Sequence, residues 1–507
     1  MILRCTQNYD TPMHSKLTAL YTPEQTQIVD CYAIDELGIK GATLMSRAGR
    51  TAFKLLQARW PEAESIVTLC GGGNNGGDGY VVAALAQEAG LQVELRWLMM
   101  PERLKGDART AFEWALRAGV SMAPYQSSEL IVGDLIVDAL LGTGLKDEVH
   151  SDYYKAIEEI NRTQIPVLAI DIPSGLDGDS GAVMGVAVEA SVTITYIGIK
   201  RGMLTAVGRH HCGEIIFDSL GLPDEAFGQI QPVAELMSID SFQPHPPRNQ
   251  SAHKGHYGHL LIVGGNRGMG GAVLIAARAA ARMGVGLISV ATHPDNVTAI
   301  QVSLPEVMSH AVERVEELEP LLERATAVVI GPGLGSDDWA KAIFGETLRR
   351  QIPLLIDADG LNLLAQAELP QEEQADLLSE QLNPKQWVLT PHPGEAARLL
   401  GMSIEEIESS RFESIESLVE RYNATVVLKG AGTLVLSKGL IPSVCSHGNP
   451  GMASGGMGDL LAGVIGALMA QGELLNEAAQ YGVSLHSAAA DIYVEQHGEW
   501  GLSLIHI

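Results

Sequence analysis

Short apolar runs alternate with amphipathic stretches along nearly the whole chain, and this alternation restricts the fold more than any other feature. The runs at 65–70, 91–98, 134–140, 166–170 and 191–196 read as strands, with helical periodicity over 78–89, 106–118 and 153–161 between them. After a break the pattern resumes. Runs at 259–263, 287–291, 327–330, 353–356, 387–389 and 425–428 read as strands, again with helical patterns between most of them. Strands alternating with helices imply parallel sheets covered on both faces, so the expectation is two α/β domains. The break is 241–259, SFQPHPPRNQSAHKGHYGH, where Pro, His and small polar residues crowd together without periodicity, as in a linker or an extended lead into the second domain.

Ligands of an open parallel sheet bind beyond the carboxyl ends of its strands. Gly71, Asp138, Asp171, Gly264, Gly331, Asp357, His392 and Lys429 all stand at or just past an apolar run. A few such residues would be ordinary turn chemistry. So many in phase point to two sites built from loops.

Composition narrows the partners. Across 507 residues, 34 Lys+Arg against 61 Asp+Glu give a formal net charge of -27, which repels nucleic acid and anionic membranes. The five cysteines include no CxxC pair, so no disulfide framework or zinc ribbon is readable and a reducing compartment is expected. The first twenty residues lack the apolar core of a secretory signal, and the apolar stretch 460–470 is too short to span a bilayer, which needs about 20 residues. A soluble, cytoplasmic protein is the expectation. Glycine is in excess, with 55 residues and no collagen period, as expected where backbone closely approaches ligands.

The first constellation begins with GGGNNGGDGY over 71–80, which contains the dinucleotide fingerprint Gly71-x-Gly73-x-x-Gly76 with Glu94 near the distance of a ribose-binding acid. The run 74–78 is dense in amide donors at a helix start, suited to cradling phosphate. DALLGTG over 138–144 and IDIPSG over 170–175 join it. Asp138 and Asp171 fit a cation ligand and a general base, or simply cap the following turns. The second constellation comprises GGNRGMGGA (264–272), GPGLG (331–335), DADGLN (357–362), TPHPGE (390–395), KGAGT (429–433) and GGMGD (455–459). It lacks the GK[ST] ending of a Walker loop. Glycines before an apolar helix offer N–H groups and the positive dipole end to a phosphoryl group, with Asp459 placed to deprotonate a hydroxyl or to act as an ordinary helix cap.

GGGNNGGDGYV, DALLGTG and IDIPSGLDG, in that order, resemble the YjeF N-terminal domain, the NAD(P)H-hydrate epimerases, over roughly residues 20–220. That resemblance implies a Rossmann-like three-layer sandwich that interconverts the R and S forms of NADHX and NADPHX. It implies that Asn74, Asn75, Gly76, Gly77 and Asp78, with Gly142, Thr143, Gly144, Leu145, Lys146, Asp147 and Glu148, hold the substrate. Asn75, Asp138 and Ser174 would ligate potassium, and Asp171 would be the acid/base at the nicotinamide ring. The second set, over roughly 250–500, is similar to the ribokinase-like fold and within it to the YjeF C-terminal domain, the ADP-dependent NAD(P)H-hydrate dehydratases. There Ala272, Gly335, His392 and Asp459 would line the hydrate, and Lys429, Gly430, Ala431, Gly432, Thr433 and Gly458 would contact the nucleotide. Asp459 would activate the C6 hydroxyl for phosphoryl transfer from ADP, with magnesium expected.

The implied organisation is an epimerase domain at 1–225, a linker at 226–250 and a dehydratase domain at 251–507. Expected partners are NADHX, NADPHX and ADP, with no nucleic acid or membrane, and the chain is expected to form a homo-oligomer. Two rivals stay open at this point. One is a ribokinase-family vitamin or sugar kinase with an accessory Rossmann-like domain. The other is a non-enzymatic NAD(P)-binding module.

Overall fold

The structure, a computed structural model, describes residues 4–5, 18–127, 130–243, 247–366, 386–504 and 506. The chain divides into two compact units, Met1–Leu236 and Met237–Ile507. The stretch 226–250, expected as a linker, is partly regular: it holds the strand Ala234–Met237 and the turn Ile239–Ser241, and its residues 244–246 lie outside the described ones. The termini, for which the sequence carries no motif, fall largely outside the described residues at residues 6–17 and partly so at 505 and 507.

In the first unit an eight-stranded, all-parallel sheet has the order Arg4–Cys5, Glu214–Asp218, Val192–Tyr196, Val167–Ile170, Leu135–Ala139, Ser65–Cys70, Gln92–Trp97, Ser121–Pro124. From Ser65–Cys70 the chain first builds outward one way and then returns to build the other way from Leu135–Ala139. The loops after these two adjacent strands therefore diverge and leave a crevice, as open α/β sheets do where strand order reverses. Helices cover the sheet. The helix Asn74–Glu88 is buried on nearly every face because it packs on Ser65–Cys70 and is covered by the helix Gly41–Arg59. It begins four residues before the expected start at 78, since Gly73 forms its N-cap and the glycine-rich run is its first turn. A small ribbon pairs Ala19–Tyr21 with Ile199–Lys200 and Ala234–Met237.

The second unit repeats the logic. Its strands run Met308–Ala311, Leu287–Thr292, His259–Val263, Ala327–Ile330, Leu354–Ile356, Trp387–Leu389, Thr425–Leu428, parallel throughout, followed by antiparallel Leu434–Leu436 and Ser443–Cys445. The order reverses between His259–Val263 and Ala327–Ile330, so GGNRGMGGA and GPGLG open beside each other. The apolar helix Met457–Ala470 is buried on all sides, as a helix without a polar face must be. It packs against the sheet and the helix Gly270–Arg282. That stretch is therefore core, and among the described residues no helix is long and apolar enough to cross a membrane.

Gly463 is where these two helices touch, since a side chain there would collide with the Ala276 carbonyl oxygen. Overpacking at such a backbone contact costs about 1–3 kcal/mol. Gly463→Ala should therefore lower the thermal midpoint of the second unit by several degrees, at about 2–4 °C per kcal/mol for a domain of this size. Calorimetry of the full chain checks this, and an unchanged midpoint would disprove the close contact.

Two candidate active sites

In the first unit the loops at the switch point line a cleft of about 920 Å³. Asn74 and Asn75 enter it from the helix start, where first-turn N–H groups have no intrahelical acceptor and favour an anion. Gly142, Thr143, Gly144, Leu145, Lys146, Asp147 and Glu148 all line it too. Gly76 and Gly77 do not line it. A side chain at Gly76 would collide with the Gly71 carbonyl, and Gly77 faces Met45 and Ala108, so these glycines permit close packing behind the cleft. Glu94 is not among the cleft residues either; it pairs with Arg96 at 2.6 Å on the strand Gln92–Trp97.

Asn75, Asp138 and Ser174 converge on the backbone of Leu141. Asn75 Nδ2 donates to the Leu141 carbonyl at 2.9 Å, and the Leu141 N–H donates to Ser174 Oγ at 2.8 Å. Ser174 donates from Oγ (2.6 Å) and from N (2.8 Å) to the two oxygens of Asp138. Burial pushes the Asp138 carboxyl up to about 6, against the hydrogen bonds from Ser174 and Leu140 that pull it down. Asn75 Oδ1 is buried and accepts no hydrogen bond from the protein. An orphaned amide oxygen beside a carboxylate and a hydroxyl is an oxygen-only donor set, which suits a hard cation and fits potassium.

Asp171 follows the strand Val167–Ile170 with φ of 66°, a left-handed conformation that a non-glycine residue holds only where its surroundings enforce it. Its Oδ1 accepts from the Tyr196 N–H at 3.2 Å and from the ammonium of Lys200, which is 1% exposed. Asp30, from the helix Pro23–Asp35, also lines the cleft, and burial and then the charge of Asp171 raise it to about 6 despite Lys200. Burial, with Asp171 and Asp30, raises Asp78 well above the usual carboxylate range. Asp78 lines the cleft beside Asp171 and Asp30. Asp30 and Lys200 were not among the expected residues. A lysine closing the apolar run 197–200 and an acid on the buried face of Thr26, Val29 and Ala33 were the available signals.

The hub of the second unit is Asp357, 1% exposed at the end of Leu354–Ile356. Its Oδ1 accepts from Lys429 Nζ and from Thr390 Oγ1, both at 2.8 Å. Lys429 also lies 3.8 Å from Glu395. Burial works against the lysine's charge, but Asp357, Glu395 and Asp459 outweigh it and hold the ammonium above its ordinary range. Burial raises Glu395 to about 7 and Asp459 to about 6, in each case with Asp357 adding and Lys429 opposing. Gly458 leaves its backbone open to this group, since a Cβ there would be 3.3 Å from Lys429 Nζ. Asp459 sits in the first turn of Met457–Ala470, where the helix dipole favours an anion.

Across the crevice Gly335 donates its N–H to Asp359 at 2.8 Å, and Ala272 lies beside Gly333 in the first turn of Gly270–Arg282. His392 has a structural duty: it caps the helix Pro393–Leu400, its Nδ1 accepting from the Gly394 N–H at 3.0 Å while its own N–H donates to Glu395 at 2.8 Å. Burial, with repulsion from Lys429 and Arg398, lowers its basicity. Thr433 Oγ1 closes the Lys429–Thr433 loop on the Gly430 carbonyl at 3.0 Å. Among the described residues no group of three or more His, Cys, Asp or Glu is arranged to hold a metal. Magnesium fits such a site mainly through phosphate and water, its usual mode with nucleotides.

The family described as YjeF-related protein N-terminus matches residues 41–202, and the family described as NAD(P)H-hydrate dehydratase matches residues 260–507. The bifunctional NAD(P)H-hydrate repair enzyme Nnr of Coxiella burnetii is 47% identical over 487 residues, covering 96% of this chain and 97% of that one. Its counterpart in Vibrio cholerae is 43% identical over 492 residues, covering 96% of each. Among solved structures, an ADP/ATP-dependent NAD(P)H-hydrate dehydratase from Bacillus subtilis co-crystallised with ATP and Mg2+ is 27% identical over 53% of this chain and 91% of that one, with a TM-score of 0.44. With relatives matching over nearly its full length, the chain belongs to the family of bifunctional NAD(P)H-hydrate repair enzymes.

Proposed function

We propose that the first unit epimerises R and S NAD(P)HX at Asp171 and the second dehydrates the S form at Asp459, with ADP as the phosphoryl donor. The observation that carries this reading is the convergence of each set of loop residues around a lysine–aspartate ion pair with one member buried, Lys200 with Asp171 and Asp357 with Lys429.

Inverting C6 by opening the C6–N1 bond sends its electron pair to N1 and turns the C6 hydroxyl into a carbonyl, so the hydroxyl proton leaves to a base and returns to the oxygen when N1 closes on the other face. Asp171, paired with Lys200, is the base, and Asp30 at about 6 can hold a proton near neutrality. Asn74, Asn75 and the 142–148 loop grip the phosphates and sugar. Asn75, Asp138 and Ser174 would hold potassium, whose charge would offset substrate phosphate. In the second unit Asp459 takes the C6 hydroxyl proton as that oxygen attacks the β-phosphorus of ADP, releasing AMP. The C6–O bond then breaks with loss of a C5 proton, giving phosphate and NAD(P)H. Lys429 and the N–H groups from Gly430 to Thr433 and at Gly458 steady the phosphoryl oxygens, and Ala272, Gly335 and His392 bound the hydrate. Magnesium, when bound, would neutralise charge on the phosphates.

Mixed hydrate epimers, ADP and magnesium should yield full recovery of NAD(P)H absorbance. Asp459→Asn should lower dehydration by about 10²–10⁴-fold, the usual weight of a general base. Asp171→Asn should confine fast recovery to the S fraction. If both variants match the parent, the assignment of these residues fails.

Asp459 must be ionised to act, and its carboxyl is raised to about 6. Dehydratase kcat/KM should therefore fall about tenfold per unit as pH drops below that value and be flat just above it. An acid limb near the ordinary carboxylate value would contradict the burial described. Replacing potassium by tetramethylammonium should slow the epimerase and leave Ser174→Ala insensitive to the exchange. Equal rates for the parent in the two salts would remove the cation from the reading.

A further inference from the structure

We infer that Arg411 is a positioning residue of the dehydratase, whose guanidinium fixes the peptide that carries Lys429 and so the aim of the nucleotide loop. The inference rests on the dehydratase reading of the second unit.

Arg411 begins the helix Arg411–Tyr422 and is the bulkiest of the fully buried side chains, with 0% exposure. A buried guanidinium is costly, and an apolar side chain of similar volume would usually fill such a space at least as favourably. What the charge does here is specific. Nη2 donates to the carbonyl of Leu428 at 3.1 Å and to that of Lys429 at 3.2 Å, while Nη1 lies 3.4 Å from both carboxylate oxygens of Glu408. Nη2 thus bridges the last residue of the strand Thr425–Leu428 and the residue bearing the ammonium, while Nη1 faces Glu408.

The same peptide is held from its other side, where the Lys429 N–H donates to the Pro391 carbonyl at 2.9 Å. Held at both N–H and C=O, the Lys429 backbone sets the direction from which the side chain reaches Asp357, and Nζ meets it at 2.8 Å. The guanidinium also dictates the next residue. Gly430 has φ of +137°, and a Cβ there would lie 2.8 Å from Nη1 and 3.1 Å from Nη2. The first glycine of KGAGT is therefore a space left for Arg411 as well as a conformational need. A planar, rigid fork suits this role better than a flexible ammonium.

The test uses the full chain with Arg411→Met, Arg411→Lys and Gly430→Ala, with epimerase rate and thermal midpoint measured on the same samples. Arg411→Met should raise KM for ADP about tenfold and lower kcat by about ten- to a hundredfold, the scale of a small misplacement of catalytic groups. KM for the hydrate and the epimerase rate should stay within about twofold. Arg411→Lys should recover part of both constants by restoring one of the two carbonyl bonds. Gly430→Ala should reproduce the defect with the arginine present. If Arg411→Met does not accumulate folded, Arg411→Lys decides on the same constants. An unchanged KM for ADP, whatever happens to kcat, would reduce Arg411 to a structural role and overturn the inference. A parent that shows no ADP-dependent recovery would instead overturn the dehydratase reading, and this inference with it.

Discussion

Each unit gathers acidic groups around one lysine, buried at Lys200 and partly buried at Lys429, and the arrangement of both sites depends on that pairing. Carboxylates drawn into a shared crevice repel one another and lose hydration, so each resists ionisation. The ammonium of Lys200 opposes this at Asp30, and that of Lys429 opposes it at Glu395 and Asp459. Removing one partner of such a group would leave a buried charge uncompensated, which is far more costly than the pair itself. The surrounding loops can therefore take only those shapes that keep the lysine in place.

The sheets explain why the groups meet at all. Both reverse strand order once, and both place their glycine-rich loops at that reversal. Strand identity was highly legible in the sequence: the runs 65–70, 259–263, 327–330, 387–389 and 425–428 coincide with observed strands, because a fully buried parallel strand is a short apolar run with turn residues on either side. The glycine-rich loops were legible because backbone approach to a ligand demands a composition that ordinary turns do not. Less legible were the helices Pro23–Asp35 and Gly41–Arg59 and the long C-terminal helix Leu475–His497, whose burial follows from tertiary packing.

The parts of the sites that escaped sequence reading share a cause. Lys200 and Asp30 are brought to Asp171 by the small ribbon and by a helix from far along the chain, so no local spacing announces them. Gly76 and Gly77 sit inside a phosphate-like motif yet serve packing, a distinction visible only once the Gly71 carbonyl and Met45 are seen behind them. His392 illustrates the reverse. The resemblance implies that it lines the hydrate, and the structure gives it a further duty as a helix cap that also anchors Glu395.

The raised carboxyls also change how acidic the protein looks to its ligands. The formal charge of -27 counts every Asp and Glu as ionised. Asp30, Glu395 and Asp459, lifted to between about 6 and 7, take up protons nearer neutrality than ordinary carboxylates do, and Asp30 lines the cleft of the first unit. A polyphosphate approaching them meets a milder field than the overall charge suggests. Its own negative charge then strengthens their hold on protons, so uptake of the anion and uptake of protons reinforce each other. Under the proposed function, Asp30 and Asp459 would thus serve as an adjustable counter-charge for the incoming phosphates as well as moving protons.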